Sequence, residues 1–87
     1  MTSYVYILGS TDGRTRRTYV GWTTDLERRL EQHNSGSGAK STRGRAWVLL
    51  YAERYDARSA AMSREWHLKR DRQFRKLLSG SLSAHRQ

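Results

Sequence analysis

The pattern of hydrophobic and polar positions contains three short segments rich in Val, Ile, Leu and aromatic residues. They read SYVYILG, RTYVGW and AWVLLYAER, which places strands near 3–9, 17–22 and 46–54. β-Branched and aromatic residues in runs of this length are typical of strands. The turn dipeptide Asp12-Gly13 follows the first run and predicts an antiparallel hairpin between the first two strands.

After the second strand the period of the pattern changes to that of a helix. A helix is predicted over 25–33, where Thr24 opens a capping box with the glutamate three residues later. A second helix is predicted over 57–70, with Asp56 as its cap, and a shorter helical piece over 71–78. The element order is β-β-α-β-α(-α), so the predicted fold class is α+β, with a three-stranded antiparallel sheet flanked by helices.

The chain of 87 residues is short enough for a single domain. We place that domain at 1–80 and a flexible C-terminal tail at 81–87, because the chain ends in the polar run SGSLSAHRQ. Residues 34–45, NSGSGAKSTRGR, combine Gly, Ser and cationic residues and predict a mobile basic loop.

Charge narrows the choice of partner. The formal net charge is +9, from 17 Lys and Arg against 8 Asp and Glu, which indicates a polyanion and first of all nucleic acid. A membrane is the weaker alternative, because no basic amphipathic helix stands alone and no segment is long enough to span a bilayer. Cysteine is absent and no secretory signal is recognisable, so we expect a cytoplasmic protein without membrane association.

The first helix carries two unusual residues at its apolar face. On a helical wheel Leu26 and Leu30 form the buried stripe, His33 falls inside it and Arg29 at its edge, whereas Arg28 points to solvent. An arginine fixed at the core boundary can bind phosphate through two parallel hydrogen bonds. The structural alternative is that Arg29 pairs with a carboxylate and His33 with a backbone carbonyl. That alternative is favoured for His33 alone, and function is favoured for the pair followed by a basic loop.

The second helix places Glu65 between the apolar stripe of Ala61 and Leu68 and the aromatic Trp66. An inward glutamate is costly unless it is paired or binds a cation. Two interpretations are balanced on the residues alone. Glu65 forms a buried salt bridge to an arginine, such as Arg29, or it is a metal ligand, since a single protein carboxylate is a common way to hold Mg²⁺.

Taken in order, these residues resemble the GIY-YIG nuclease superfamily over about 3–78. The first tyrosine motif is Tyr4-Val5-Tyr6, with tyrosine in place of the family's glycine, and the second is Tyr19-Val20-Gly21. Arg29, His33 and Glu65 match the family's arginine, histidine and metal-binding glutamate. The stretch RRLEQHNSGSGAKSTRGRAW is similar to small stand-alone bacterial members and to the structure-specific branch, which cuts flaps and junctions in DNA repair.

The resemblance implies a divalent-metal-dependent endonuclease that hydrolyses DNA phosphodiester bonds with structure preference, not sequence preference. Glu65 would hold Mg²⁺ or Mn²⁺, and Arg29 would stabilise the phosphate. Tyr19 is the favoured general base, with Tyr6 orienting or relaying and His33 accepting or passing the proton.

The basic loop would hold the nucleic-acid backbone through Lys40, Arg43 and Arg45. So small a domain predicts help in substrate selection from a protein partner or a homodimer. Two alternatives remain: a nucleic-acid-binding accessory module with little or no turnover, and a structural basic domain. An inward carboxylate argues against the structural domain, and a cleavage assay separates the accessory module from an enzyme.

Overall fold

The computed structural model of the protein describes residues 1–83, apart from the side chains of residues 81 and 83. It has the predicted α+β architecture, a three-stranded antiparallel sheet with three helices in the order β-β-α-β-α-α. The elements are β1 (Ser3–Thr11), β2 (Arg16–Thr23), α1 (Leu26–Ser35), a 3₁₀ turn (Lys40–Thr42), β3 (Val48–Tyr55), α2 (Arg58–Arg70) and α3 (Arg72–Ser83).

The first strand is the centre of the sheet, whose order is β2-β1-β3. The hairpin turn between β1 and β2 is closed by the Asp12 carboxylate, which accepts from the backbone N–H groups of Arg14 and Thr15, both at 2.9 Å. The pairing of β1 with β2 has no register shift. The pairing with β3 shifts between Ile7 and Leu8, where Leu50 is the extra residue.

Alternation along the strands sends side chains to two separate apolar clusters. Val5, Ile7 and Val20 face α2 and α3 and pack with Ala61 and Leu68. On the opposite face α1 covers a cluster built on the residues Tyr6, Leu8 and Trp47, with Tyr19, Leu26 and Leu30 around them. Because both faces are covered, polar side chains that reach the second cluster are held in a defined geometry.

The two predicted helix caps were wrong. The N-cap of α1 is Asp25, not Thr24, and its carboxylate accepts the backbone N–H of Arg28 at 3.1 Å. The N-cap of α2 is Ala57, which has no side-chain capping bond, so Asp56 does not cap this helix. Both helices nevertheless occupy the predicted part of the chain within a few residues.

The C-terminal helix continues past the predicted domain boundary. α3 reaches Ser83, and Leu82 is buried beside Gly9, so the first part of the predicted tail 81–87 is helical. Residues 84–87 lie outside the described part of the chain, and the division at residue 80 stays a prediction. Within residues 1–83, no helix combines the length and the apolar character that crossing a bilayer requires.

Candidate active site

The two tyrosines predicted to belong to the site lie side by side on the α1 face of the sheet. The strand register pairs Tyr6 with Gly21 and Leu8 with Tyr19, which puts both rings on one face. A Cβ atom at Gly21 would lie 2.6 Å from Tyr6 Oη and 3.0 Å from Tyr19 Cε2. Of the two explanations for a glycine inside this strand, a bulge or a close approach, the close approach is therefore the one observed, because only glycine leaves room for both phenol rings.

The histidine lies fully buried against these rings. His33 Nε2 is 2.8 Å from Tyr6 Oη, and the ring centroids of His33 and Tyr19 are 4.7 Å apart. On its other side His33 Nδ1 is 2.9 Å from Thr42 Oγ1, and the Thr42 hydroxyl donates to the Ala39 carbonyl at 2.7 Å. The structural alternative for His33, a hydrogen bond to a backbone carbonyl, is not what the structure contains: both ring nitrogens face hydroxyl groups.

The direction of these hydrogen bonds assigns the tautomer of His33. The Thr42 hydroxyl gives its only proton to Ala39, so its oxygen must accept from His33 Nδ1–H. Nε2 of the neutral ring then has no proton and accepts from the Tyr6 hydroxyl. The result is a chain of donors that runs in one direction from Tyr6 through His33 and Thr42 to Ala39.

Burial fixes the protonation states that this chain needs. It lowers the pKa of His33 below its ordinary value, and the positive charge of Arg29 lowers it further. Burial also raises the pKa of Tyr6 to about 12, although Arg29 opposes the shift. At neutral pH Tyr6 is therefore a phenol and His33 a neutral imidazole.

The arginine lies half-buried beside both phenols, as its position on the helical wheel predicted. Interaction with Tyr6 raises the pKa of Arg29 above its ordinary value despite partial burial, and Tyr19 adds to the effect. Its Nη1 donates to Gln32 Oε1 at 2.9 Å, so the structural alternative of a carboxylate partner is not found among the described residues. Arg28 is exposed, as expected.

An open groove of about 1080 Å³ gives access to Arg29 from solvent. It lies between the β2–α1 junction and the start of α2, with Trp22 on one wall and Arg58 on the other. Asp25 and Asp56 also line it, so the groove is of mixed charge. A guanidinium that is hydrogen-bonded to Gln32, lies near two phenols and lines an open groove is suited to bind a phosphate group.

Glu65 has a different partner from the one its inward position suggested. Its carboxylate is 3.4 Å from Lys69 Nζ, and the Glu65 and Lys69 side chains are 21% and 51% exposed, so the pair is not a buried salt bridge to an arginine. The charge of Glu65 lies close enough to Tyr6 to contribute to the raised pKa of that phenol. Glu65 is thus a half-buried carboxylate near the tyrosines, whose lysine partner is free to move toward solvent.

The residues present fit a cation held by one protein carboxylate. Residues 1–83 contain no cluster of three or more His, Asp and Glu side chains that could enclose a metal ion. Mg²⁺ and Mn²⁺ accept such a site, since Mg²⁺ usually keeps several waters and binds one or two carboxylates together with substrate phosphate oxygens. Glu65 is the described carboxylate that the tyrosine site offers for this role.

The loop that was predicted to be mobile is fixed to the site at several points. Asn34 exchanges hydrogen bonds with the backbone of Trp47, at 2.6 Å to its N–H and 3.1 Å to its carbonyl. Trp47 Nε1 donates to the Thr42 carbonyl at 2.8 Å, and Thr42 is fully buried. A Cβ at Gly38 would lie 2.7 Å from His33 Nδ1, so this glycine lets the loop lie directly on the histidine.

The three cationic residues of the loop do not share one environment. Lys40 and Arg43 are exposed. Arg45 is partly buried and donates from Nε to Ser10 Oγ at 3.1 Å, with a further contact from Nη2 to the Ser10 carbonyl at 3.5 Å. The Lys40 and Arg43 side chains are therefore accessible to the backbone of a nucleic acid, whereas Arg45 joins the loop to β1.

Sequence reasoning missed an ion pair on the other face of the sheet. Arg64 binds both carboxylate oxygens of Glu53, at 2.9 and 3.1 Å, and the hydroxyl groups of Tyr51 and Tyr55 donate to the same carboxylate. Burial by itself would raise the pKa of Glu53, but these donors outweigh it and hold that pKa at about 2. Since Glu53 pairs with Val5, it lies on the α2 side and joins α2 to the sheet.

Comparison with known proteins identifies the family of the chain. Residues 2–77 match the GIY-YIG catalytic domain. The chain belongs to the GIY-YIG family. The match indicates nuclease chemistry in general terms, and hence a nucleic-acid substrate.

Similar proteins of comparable length occur in archaea and bacteria. A UPF0213 protein of Haloquadratum walsbyi is 52% identical over 67 residues, which are 76% of this chain and 72% of that protein. One of Clostridium perfringens is 46% identical over 69 residues, 78% and 71% of the two chains. The solution NMR structure of a UPF0213 protein from Bacillus halodurans is 39% identical, with a TM-score of 0.52 over 92% of this chain and 84% of that one. These names specify no activity.

Proposed function

We propose that the protein is a divalent-metal-dependent endonuclease that hydrolyses phosphodiester bonds in DNA and selects its substrate by structure, not by sequence. The observation that carries the proposal is the position of Arg29 close enough to Tyr6 and Tyr19 to interact with both, with the charge of Glu65 near Tyr6. A purely structural basic domain has no need for two phenols, packed against a glycine, together with a guanidinium and a carboxylate.

Each charged group has a role that its position supports. Glu65 would hold Mg²⁺ or Mn²⁺, which when bound supplies positive charge to the scissile phosphate and its leaving oxygen. Arg29 would bind a non-bridging phosphate oxygen, and its hydrogen bond to Gln32 keeps the guanidinium in place as charge develops in the transition state.

The phenols divide the proton transfer between them. Tyr19 is more exposed than Tyr6 and lies beside Arg29, whose positive charge favours it as the group that, in its phenolate form, takes the proton from the attacking water. Tyr6 is buried with a pKa of about 12, so it is unsuited to be the first base. It already donates to the bare Nε2 of His33, and can therefore pass on a proton that reaches its oxygen.

The surface around the site supports a substrate read by shape. Lys40 and Arg43 are exposed cations that contact phosphate irrespective of sequence. So small a domain has little surface for reading bases, and a protein partner or a homodimer would complete the selection. Cleavage of nucleic acid in the cytoplasm is consistent with the net charge of +9 and the absence of cysteine.

Glu65→Gln tests the proposal on a panel of labelled branched, nicked, single-stranded and duplex substrates with Mg²⁺, Mn²⁺ or chelator. Cleavage should fall by about 100-fold or more, since the charge that holds the cation is gone. The melting temperature should hardly change, because the partly exposed pair with Lys69, one helical turn away, is worth only about 0.3–0.5 kcal/mol. Glu31→Gln removes an exposed carboxylate from α1 and is the matched control.

Three results decide between the functions. Loss of cleavage in Glu65→Gln with intact binding supports the metal-dependent enzyme. Full cleavage by that variant would remove Glu65 from the metal site. Tight binding without cleavage of any substrate by the unmodified protein would favour the accessory module that works for another protein.

A further inference from the structure

A second groove, here called the hairpin groove, separates the β1–β2 turn from α3 and encloses about 710 Å³. Five of its nine lining residues are cationic and none is acidic, unlike the groove at Arg29, which contains two aspartates. The lining residues are Arg14, Thr15, Arg16, Thr18, Arg72, Gln73, Arg75, Lys76 and Ser79. The function proposed above uses none of them.

Two of the arginines hold the walls of the hairpin groove together. Arg75 donates to Thr18 Oγ1 at 3.2 Å and to two carbonyl groups at the end of α2 at 3.2 and 2.7 Å. Arg16 Nη1 donates to the Ser79 carbonyl at 3.4 Å. These bonds fix β2 against α3, so the groove has a defined shape.

The remaining three cationic side chains of the groove form no contacts that stabilise the described part of the fold. Arg14, Arg72 and Lys76 are exposed, and within the described residues their side chains have no hydrogen-bond or ion-pair partner. Arg72 also lies at the N-terminus of α3, where the helix dipole disfavours positive charge, and the neighbouring Asp71 carboxylate caps the helix at Phe74 N–H without pairing with Arg72. The stability of the protein therefore does not account for this cluster.

The composition of the groove distinguishes between possible partners. Apart from the three exposed cations and the two bridging arginines, the lining consists of Thr, Ser and Gln, with no apolar side chain. Protein interfaces contain an apolar or aromatic core, whereas contacts to the nucleic-acid backbone are made by Arg, Lys, Ser, Thr and Gln. The hairpin groove matches the second pattern.

The groove and the tyrosine site share one strand. Arg16 and Thr18 of β2 line the groove, and Tyr19 and Gly21 of the same strand belong to the site. β2 is an edge strand. Arg16 and Thr18 contact α3, whereas Tyr19 lies on the α1 face, so a nucleic acid that reaches both the groove and the site has to pass the β2 edge.

We propose that the hairpin groove binds the phosphate backbone of the substrate on one side of the cut. Nucleic acid would lie along the β2 edge, with its scissile phosphate at Arg29 and its flanking phosphates at Arg14, Arg72 and Lys76. The inference rests on the proposed function for the position of the cut. The binding surface itself does not depend on turnover.

The test measures affinity for a labelled DNA duplex over a range of salt concentrations, in the Glu65→Gln background so that no cleavage interferes. Arg14→Ala, Arg72→Ala and Lys76→Ala together should flatten the slope of log K against log salt by up to about 2.7, or 0.9 for each phosphate that is no longer neutralised. Arg72→Ala alone should change the slope, whereas Arg54→Ala, which removes an exposed arginine from β3, should not. Arg72→Lys should retain most of the salt slope, because lysine keeps the positive charge.

The outcomes separate this inference from the proposed function. An unchanged slope in a triple variant that melts normally would overturn the groove and leave the nuclease intact. An equal change of the salt slope in Arg72→Ala and Arg54→Ala would also overturn it. Polyglutamate binding is measured in the same way, and a larger loss of polyglutamate binding than of DNA binding would overturn the inference in favour of an acidic protein partner. If no substrate is ever cut but the slope falls as expected, the groove stands and the enzyme fails.

Discussion

Thr42→Val tests the hydrogen-bond chain that assigns the tautomer of His33. Valine keeps the shape of threonine but removes the hydroxyl that accepts from His33 Nδ1 at 2.9 Å. His33 and Thr42 are both 0% exposed, so water cannot replace the missing partner. A buried donor left without an acceptor costs about 1–3 kcal/mol in unfolding free energy. For a domain of this size each kcal/mol lowers the melting temperature by about 4–8 °C.

The substitution should also reverse the chain. Without the Thr42 hydroxyl, the tautomer of His33 with its proton on Nε2 is favoured, because that proton can be donated to Tyr6 Oη. The Tyr6 hydroxyl then loses its acceptor. Urea denaturation measures the stability change, and ¹⁵N NMR of the imidazole identifies the tautomer. Cleavage should fall in parallel because the relay from Tyr6 to His33 is interrupted.

Thr42→Ser is the control, since it keeps the hydroxyl and removes one methyl group, at a cost of about 1 kcal/mol. Its His33 should retain the Nδ1–H tautomer of the unmodified protein. The reasoning is refuted if unmodified His33 carries its proton on Nε2, or if Thr42→Val is as stable as the unmodified protein and keeps the same tautomer.

Three further predictions concern other contacts. Gly21→Ala would place a methyl group 2.6 Å from Tyr6 Oη and should displace that hydroxyl. Stability should fall by about 1–3 kcal/mol and cleavage by about 100-fold. Normal activity of this variant would contradict the proposed site. Because the pKa of Glu53 is lowered from 4.5 to about 2, its stabilisation is complete above pH 4.5 and disappears toward pH 2. Melting curves recorded from about pH 5 to about pH 2 should show a loss of about 1–2 kcal/mol of stability, a value already reduced for the solvent exposure of Arg64. Glu53→Gln should lack this loss. Lys40→Ala with Arg43→Ala should flatten the DNA salt slope by up to about 1.8, and an unchanged slope would remove the loop from the interface.

Local patterns were sufficient for most of the fold and for the positions of Arg29 and His33 on α1. The three strands could be found by composition, and the wheel of α1 placed His33 inside and Arg29 at the edge because 3.6-residue periodicity is a local property. The helix caps were missed for a local reason as well. Thr24 and Asp25 are adjacent and both suit an N-cap, and the choice depends on how Thr23 turns the chain, through a bond from Asp25 N–H to Thr23 Oγ1.

Two other features depend on contacts between distant parts of the chain. Thr42 lies in a Gly- and Ser-rich loop, whose composition predicts mobility, yet it is buried because His33 needs an acceptor nine residues away. The role of Glu53 depends on the register of β3, which shifts at Leu50, so alternation along the strand does not assign its face. Neither arrangement can be inferred without the tertiary structure.

The central position of β1 also sets the order in which the site is assembled during folding. Its partner β2 follows after a turn that ends at Arg16, whereas β3 begins only at Val48 and must close a much longer loop. Hairpins form in about 1–10 μs, and non-local pairing is slower. Tyr6 and Tyr19 both belong to the hairpin, so we expect φ-values of about 0.5–0.8 there and lower ones at Thr42. The phenols are then in place first, and the residues that fix their protons arrive last.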